Sequence, residues 1–395
     1  MGNEAAPGLP YEEKRFVDRQ DEVELVLGKA RAIQRGELLH QRTVAFYGPS
    51  GSGKSWLLGE LNRRLHDKEF ASFVVLLAAL HPYTGEQPVL AVEKLLYWAA
   101  EQIGKTCGIT PTGQHANASL SERSNWLCED IKRAQRKVAL LVDDVDEVSP
   151  DFLRELESYF LAPLVKLPGI LVVLAGRTRD PRPGEGYTWK SPELKLYSVE
   201  CDLGPFDEQY TKDQLARQRP EAVPIAAEIR EAGGGYPLSN WVLGGQVAGQ
   251  PPAWKDKAAA LKDCADALLG NVEATLQPYF WALCVLRAFD EERMPPLLAT
   301  YFGHAPTSWS YAECRRLREE MVRTRLARWM AERGGFAMDE AVRTALENAL
   351  QENDREMWQR LHRAAYELYA QWVKDYPRAA ARWQPEADYH AQCYA

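Results

Sequence analysis

Residues 48–55 read GPSGSGKS and follow a short apolar stretch, Thr43 to Tyr47. Gly48, Gly53, Lys54 and Ser55 satisfy the pattern G-x-x-x-x-G-K-[ST], with an apolar strand before it and a helical pattern, WLLGELNRRL, after it. Glycines at those places let backbone N–H groups encircle phosphate oxygens, and the start of the following helix adds partial positive charge. Pro49, Ser50, Gly51, Ser52 and Gly53 are expected to form the cradle, with Trp56 opening the helix beside it. Lys54 would neutralise the outer phosphates and Ser55 would ligate magnesium, which makes ATP or ADP with Mg2+ the expected ligand. The competing reading is a glycine-rich turn that binds nothing.

A second group of chemistry-bearing residues lies in VALLVDDVDEV. Its apolar run delivers carboxylates at the carboxyl end of a buried strand, the end at which such sheets bind ligands. Asp143 is expected to hold magnesium through water, and Asp144 to polarise an attacking water; the alternative is a strand that ends in a solvated acidic loop. A third apolar run, VVLAGRTRD, ends on Arg177, with Arg179 as competitor for contact with a third phosphate.

These residues need a scaffold, and the pattern between them supplies one. Val- and Leu-rich runs recur at TVAFY, FASFVVLLAAL, KVALLVDD, GILVVLAGR and LKLYSVECDL, separated by segments of helical period such as SNWLCEDIKRAQR and DFLRELESYFLAPLVKL. Near-continuous apolar strands alternating with helices predict an α/β nucleotide-binding domain with a parallel sheet covered on both faces. After GPFDEQY helices dominate, punctuated by AGGGYP and GGQVAGQPPAW. Two short apolar pieces flanking Arg333-Gly334-Gly335 predict a β-hairpin behind helices, the plan of a winged helix. The expected organisation is a tail over 1–13, a P-loop domain over 14–204, a helical domain over 205–270, a winged-helix domain over 271–350 and a helical segment over 351–395 interrupted at Pro377 and Pro385.

Composition narrows the classes. The chain has 395 residues, 46% of them hydrophobic, and a formal net charge of -8, which argues against a whole-surface preference for nucleic acid or anionic membrane. Seven scattered cysteines read as reduced thiols of a cytoplasmic protein. No apolar run is long enough to span a bilayer, so no membrane partner is expected.

The ordered set of motifs resembles the STAND class of P-loop ATPases, signal-transducing relatives of AAA+ enzymes that include NB-ARC switches. RFVDRQDEVELVL is similar to that family's opening motif, with Phe16, Val17, Arg19, Glu22 and Leu25 in register and Asp18 in place of the usual glycine. The resemblance implies that Phe16, Val17 and Arg19 lie against the adenine, that LLVDD is a two-acid Walker B motif and that Arg177 is the sensor arginine. GGGYPLSNW resembles the G-x-P element, which implies that Pro237 packs on the base. FAMDEAVRTAL resembles the M-H-D region, but Asp339 stands where the family has a histidine on the diphosphate, so that family's ADP lock is not carried over.

The resemblance implies an ATP/ADP-dependent switch with slow ATP hydrolysis, which self-associates in the ATP state and engages a protein sensor or effector. Neither a sensor array nor an effector is recognisable in 1–13 or 351–395, so these are expected in a longer protein or on separate chains. The tail is similar to the helical region that joins switch to sensor in bacterial relatives, and Tyr389 and His390 within it are expected to pack between helices. The alternative is an origin-recognition-like DNA-binding ATPase or transcriptional regulator using the winged helix. For that reading, residues 315–333 carry seven arginines against three glutamates. Burial of Leu317, Met321, Leu326, Trp329 and Met330 is expected to make this run a solvated amphipathic helix instead.

Overall fold

The computed structural model describes residues 11–17, 19–37, 40–113, 118–177, 187–270, 272–324 and 326–394. Asp18 and Arg179 therefore lie outside the described residues. The chain forms two compact units, Met1–Gly48 with Gly53–Gly204, and Pro49–Ser52 with Pro205–Ala395.

The first unit is built on strands β1 (Thr43–Tyr47), β2 (Phe73–Ala79), β3 (Lys137–Asp143), β4 (Ile170–Gly176) and β5 (Ser198–Asp202). They form one parallel sheet in the order β2-β3-β4-β1-β5. Its helices are α1 (Gln20–Gln34), α2 (Lys54–Leu65), α3 (Pro88–Cys107), α4 (Leu120–Ala134), α5 (Pro150–Leu156), α6 (Ala162–Val165) and α7 (Pro192–Lys195). Successive side chains of a strand point to opposite faces, so each apolar run feeds two cores. Val138, Leu140, Val142, Val172 and Leu174 pack with α3 to α6, whereas Ala139, Leu141, Leu171, Val173 and Ala175 pack with α1 and α2.

Two expectations need adjustment here. The predicted strand in LKLYSVECDL is shorter, because Pro192 starts the one-turn helix α7 and only Ser198–Asp202 pairs with β1. The segment predicted as one helix over DFLRELESYFLAPLVKL is helical throughout but passes through a π turn, Glu157–Leu161, between α5 and α6. Buried Glu157 accepts the N–H groups of Lys190 and Ser191 at 2.7 and 2.5 Å, and the Tyr187 hydroxyl also donates to it.

The second unit contains α8 (Glu208–Gln218), α9 (Ala226–Gly233), α10 (Pro237–Gly244), α11 (Lys257–Leu268), α12 (Gln277–Leu283), α13 (Met294–Phe302), α14 (Tyr311–Arg323), α15 (Glu340–Asn353), α16 (Arg355–Asp375) and α17 (Ala380–Tyr394). A two-residue hairpin, β6 (Val247–Ala248) with β7 (Ala253–Trp254), interrupts what the sequence suggested was purely helical. Strands β8 (Ala327–Met330) and β9 (Gly335–Met338) form the predicted antiparallel hairpin, and Phe289 bridges to Phe336 beside it. The order α12, α13, α14, hairpin is that of a winged helix. Pro385 does not interrupt the tail as predicted: it lies inside α17, and the break falls at Tyr376 and Pro377. A proline within a helix forfeits one backbone bond, and the neighbouring packing offsets this, with Trp383 against Tyr369 and Trp372 and with Ala387 and His390 buried.

Candidate functional site

The topology decides where the chemistry can collect. β4 lies between β1 and β3, with Tyr47 opposite Gly176 and Val142 opposite Leu174. The carboxyl end of β4 therefore opens between the glycine loop that follows β1 and the acids that end β3. Sequence order alone would not place Arg177 there.

In the loop, Gly51 and Gly53 take left-handed backbone conformations, φ 76° and 92°, and the Ser52 N–H donates to the Pro49 carbonyl at 3.2 Å. A β-carbon disfavours that region, which is why glycine occupies these places. Gly53 caps α2 without a side-chain acceptor, so the N–H groups of the first turn face the loop. Lys54 Nζ donates to the Gly48 carbonyl at 2.8 Å. Ahead of the loop, Tyr11 packs edge-on against Trp56 and Phe16, with ring centroids 5.9 and 6.2 Å apart. Its hydroxyl donates to Glu60, which also pairs with Arg63. Phe16 and Val17 are buried with α1 and α2. Arg19 has φ 67°, precedes α1, and donates through Nη2 to the Gly204 carbonyl at 2.6 Å.

Asp143 is buried at the end of β3 and accepts the Asp144 N–H at 2.9 Å and the Ser55 hydroxyl. Burial pushes its pKa up, against the opposing pull of Ser55 and Lys54. Asp144 turns the chain with φ 58°, and burial together with the Asp143 charge pushes its pKa up to about 8. Two adjacent carboxylates withdrawn from water favour an added cation. Carboxylate and hydroxyl oxygens are the hard donors magnesium takes, so Asp143 and Ser55 fit that ion. Among the described residues, no group of three or more His, Cys, Asp or Glu side chains forms a metal cage.

Sequence reasoning passed over Asp146 and Glu147. Asp146 accepts the Arg177 backbone N–H at 3.1 Å, and its other oxygen lies 3.8 Å from Nε of the same residue. Glu147 lies 3.2 Å from Arg177 Nη2. The approach requires glycine at 176, where a β-carbon would meet Val145 Cγ2 at 2.7 Å. The spacing DDVDE held the signal, since a tight turn returns its last two acids over the neighbouring strand end.

In the second unit, Pro237 is the first residue of α10, preceded by the left-handed Gly234 and Gly235. A β-carbon on Gly235 would meet the Phe206 carbonyl at 2.7 Å, and the Pro237 carbonyl accepts from Gln214 at 2.7 Å. Asp339 caps α15, accepting the N–H groups of Ala341 at 3.1 Å and Val342 at 3.5 Å. Of the basic run, Arg315 and Arg316 pair with Glu319 and Glu320 on their own helix, and Arg318 pairs with Glu291. Leu317, Met321 and Leu326 are buried as predicted, but Trp329 is 48% exposed on β8, with its ring edge-on against Phe336 of the paired strand. His390 is buried with its Nδ1 2.9 Å from that of His362, and Tyr389 donates to Glu347 at 2.8 Å.

Residues 38–179 match the AAA domain family designated AAA_22, about a third of the chain. That stretch carries the AAA-type P-loop fold of ATPases. Among curated proteins, none matches the sequence. A Walker-type ATPase of Pyrococcus abyssi is 15% identical, with a TM-score of 0.53 over 86% of this chain and 99% of its own. The ORC1 protein of Aeropyrum pernix, solved in complex with DNA, is 16% identical with a TM-score of 0.48 over 86% of this chain and 93% of its own. The first likeness supports the fold alone. No described helix is long and apolar enough to cross a membrane.

Proposed function

We propose that the chain is an ATP/ADP-dependent switch of the STAND type, with slow hydrolysis, that couples nucleotide state to self-association and to engagement of a protein sensor or effector. The observation that carries this reading is the convergence of three strand ends: the loop with Lys54, the acid pair Asp143 and Asp144, and Arg177 between them. Magnesium, when bound, would screen phosphate charge. Lys54 would neutralise the outer phosphates, Ser55 and Asp143 would hold the ion, Asp144 would orient water, and Arg177 would sense a third phosphate. Phe16, Val17 and Arg19 would lie against the base, as the family resemblance implies.

ATP and ADP differ by one phosphoryl group, and a ligand shifts an equilibrium only by its difference in affinity for the two states. Few groups in this cluster can feel that difference, and Arg177 is foremost among them. The test is to identify the nucleotide that co-purifies and to follow the molecular mass with ATP, with ADP and in Lys54→Ala. Retained ADP in a monomer, with ATP-driven assembly lost in the variant, is expected. Fast hydrolysis with no change of mass would remove the switch reading.

A second reading, a DNA-binding ATPase, is favoured by one observation: Trp329 and Arg328 are exposed on the hairpin that follows α14. Pairing of Arg315 and Arg316 with glutamates on the same helix weakens it. Duplex affinity that falls steeply with salt would support this reading, and its absence would dismiss it.

A further inference from the structure

The turn after β3 brings four carboxylates together, and two of them, Asp146 and Glu147, have no part in holding magnesium or orienting water. The Glu147 N–H donates to the Asp144 carbonyl at 2.9 Å, and the Val145 N–H donates to the Ala175 carbonyl at 3.1 Å. This tight return folds Asp146 and Glu147 back over the end of β4. Both meet Arg177, whose side chain is 19% exposed against 8% for Asp146 and 18% for Glu147. A largely buried ion pair with a backbone bond added is far better held than a surface pair.

We propose that Asp146 and Glu147 are positioning residues that form a carboxylate clamp on Arg177, and that a third phosphate must draw the guanidinium from this clamp. The inference rests on the sensor role given to Arg177 above and names what sets its sensitivity. A guanidinium presents its N–H donors in one rigid plane, so the edge committed to Glu147 and Asp146 cannot at the same time grip a phosphate. A diphosphate leaves the clamp undisturbed. A triphosphate exchanges carboxylate for phosphate on the same arginine, and the strength of the clamp then subtracts from triphosphate affinity alone. The clamp would thereby hold the preference for ATP over ADP below what the arginine could give.

The test is titration of ATP and ADP, each with magnesium, into the intact protein, Glu147→Gln, Arg177→Ala and the double variant. Glu147→Gln keeps the shape and removes the charge; Glu147→Ala serves as the second variant if the first melts early. The expected result is ATP affinity raised about five- to tenfold in Glu147→Gln, within the net worth of one intramolecular hydrogen bond, with ADP affinity unchanged. That gain should vanish when Arg177 is already alanine. Equal changes for both nucleotides, no change, weaker ATP binding or a gain that survives without Arg177 would each overturn the clamp. Failure of the unaltered protein to bind either nucleotide would instead overturn the nucleotide site on which the clamp depends.

Discussion

Two regions of this molecule bury charged side chains, and they do it in opposite ways. At the end of β3, Asp143 and Asp144 are withdrawn from water beside each other, and both carboxyls are pushed above their ordinary range by burial, Asp144 to about 8. In the second unit, Glu347 is also withdrawn from water, yet the charges and hydrogen bonds of His362, Arg343 and Tyr389 outweigh burial and hold it below the usual range. One cluster is completed by its own chain. The other has a surplus of negative charge that a bound cation would relieve. Burial alone does not mark a site; burial without internal compensation does.

The largest effect of a single substitution is expected in the compensated cluster. Glu347→Ala removes the carboxylate that Arg343, His362 and Tyr389 share, leaving Arg343 with Glu340 alone, and should cost about 3 kcal/mol of stability. Denaturant unfolding should record that loss while nucleotide affinity stays unchanged. Lys54→Ala should do the reverse: roughly a hundredfold weaker ATP binding, about 3 kcal/mol, with little change in the unfolding midpoint. Titration calorimetry and melting on the same samples would separate the two.

A pH series sharpens the contrast. His390 faces His362, Tyr389, Arg287 and Arg343, and burial followed by the charges of His362, Arg287 and Arg343 pushes its pKa down to about 3. The unfolded chain takes up this proton below about pH 6.5 and the folded one does not, so stability is full above that pH. It should be lost at up to about 1.4 kcal/mol per pH unit as pH falls from about 6.5 towards 3. His390→Gln should flatten that slope in unfolding measured at several pH values. The smallest effect belongs to charge left in water: Arg316→Ala removes a pair with Glu320 on the exposed face of α14. Stability should change by less than about 0.5 kcal/mol.

How much of this could be read from the sequence follows from the range of the interactions. Strands β1 to β4 and the glycine loop are local patterns of apolar period and backbone freedom, and they are legible residue by residue. Asp143 was legible because an apolar run delivers it. The short β5 was overdrawn, since a proline-started turn of helix cannot be told from a strand by hydrophobicity alone. Trp329 was misplaced because exposure on a four-residue hairpin strand depends on what packs over it: Ala327, two residues earlier, is buried and Trp329 is not. Pairings across the fold were not legible at all. Nothing in the spacing of His362 and His390 announces that their Nδ1 atoms meet, and Asp146 with Glu147 gained meaning only once β4 lay beside β3.

We propose that the acid pair at the end of β3, whose burial Ser55 and Lys54 offset only in part, takes a magnesium-bound nucleotide. The most direct measurement is the affinity of the intact protein for ATP with magnesium and with chelator, beside Asp143→Asn. Magnesium should strengthen ATP binding in the unaltered protein, and Asp143→Asn should lose this strengthening. ATP binding indifferent to magnesium, or a variant that keeps the full magnesium response, would contradict it.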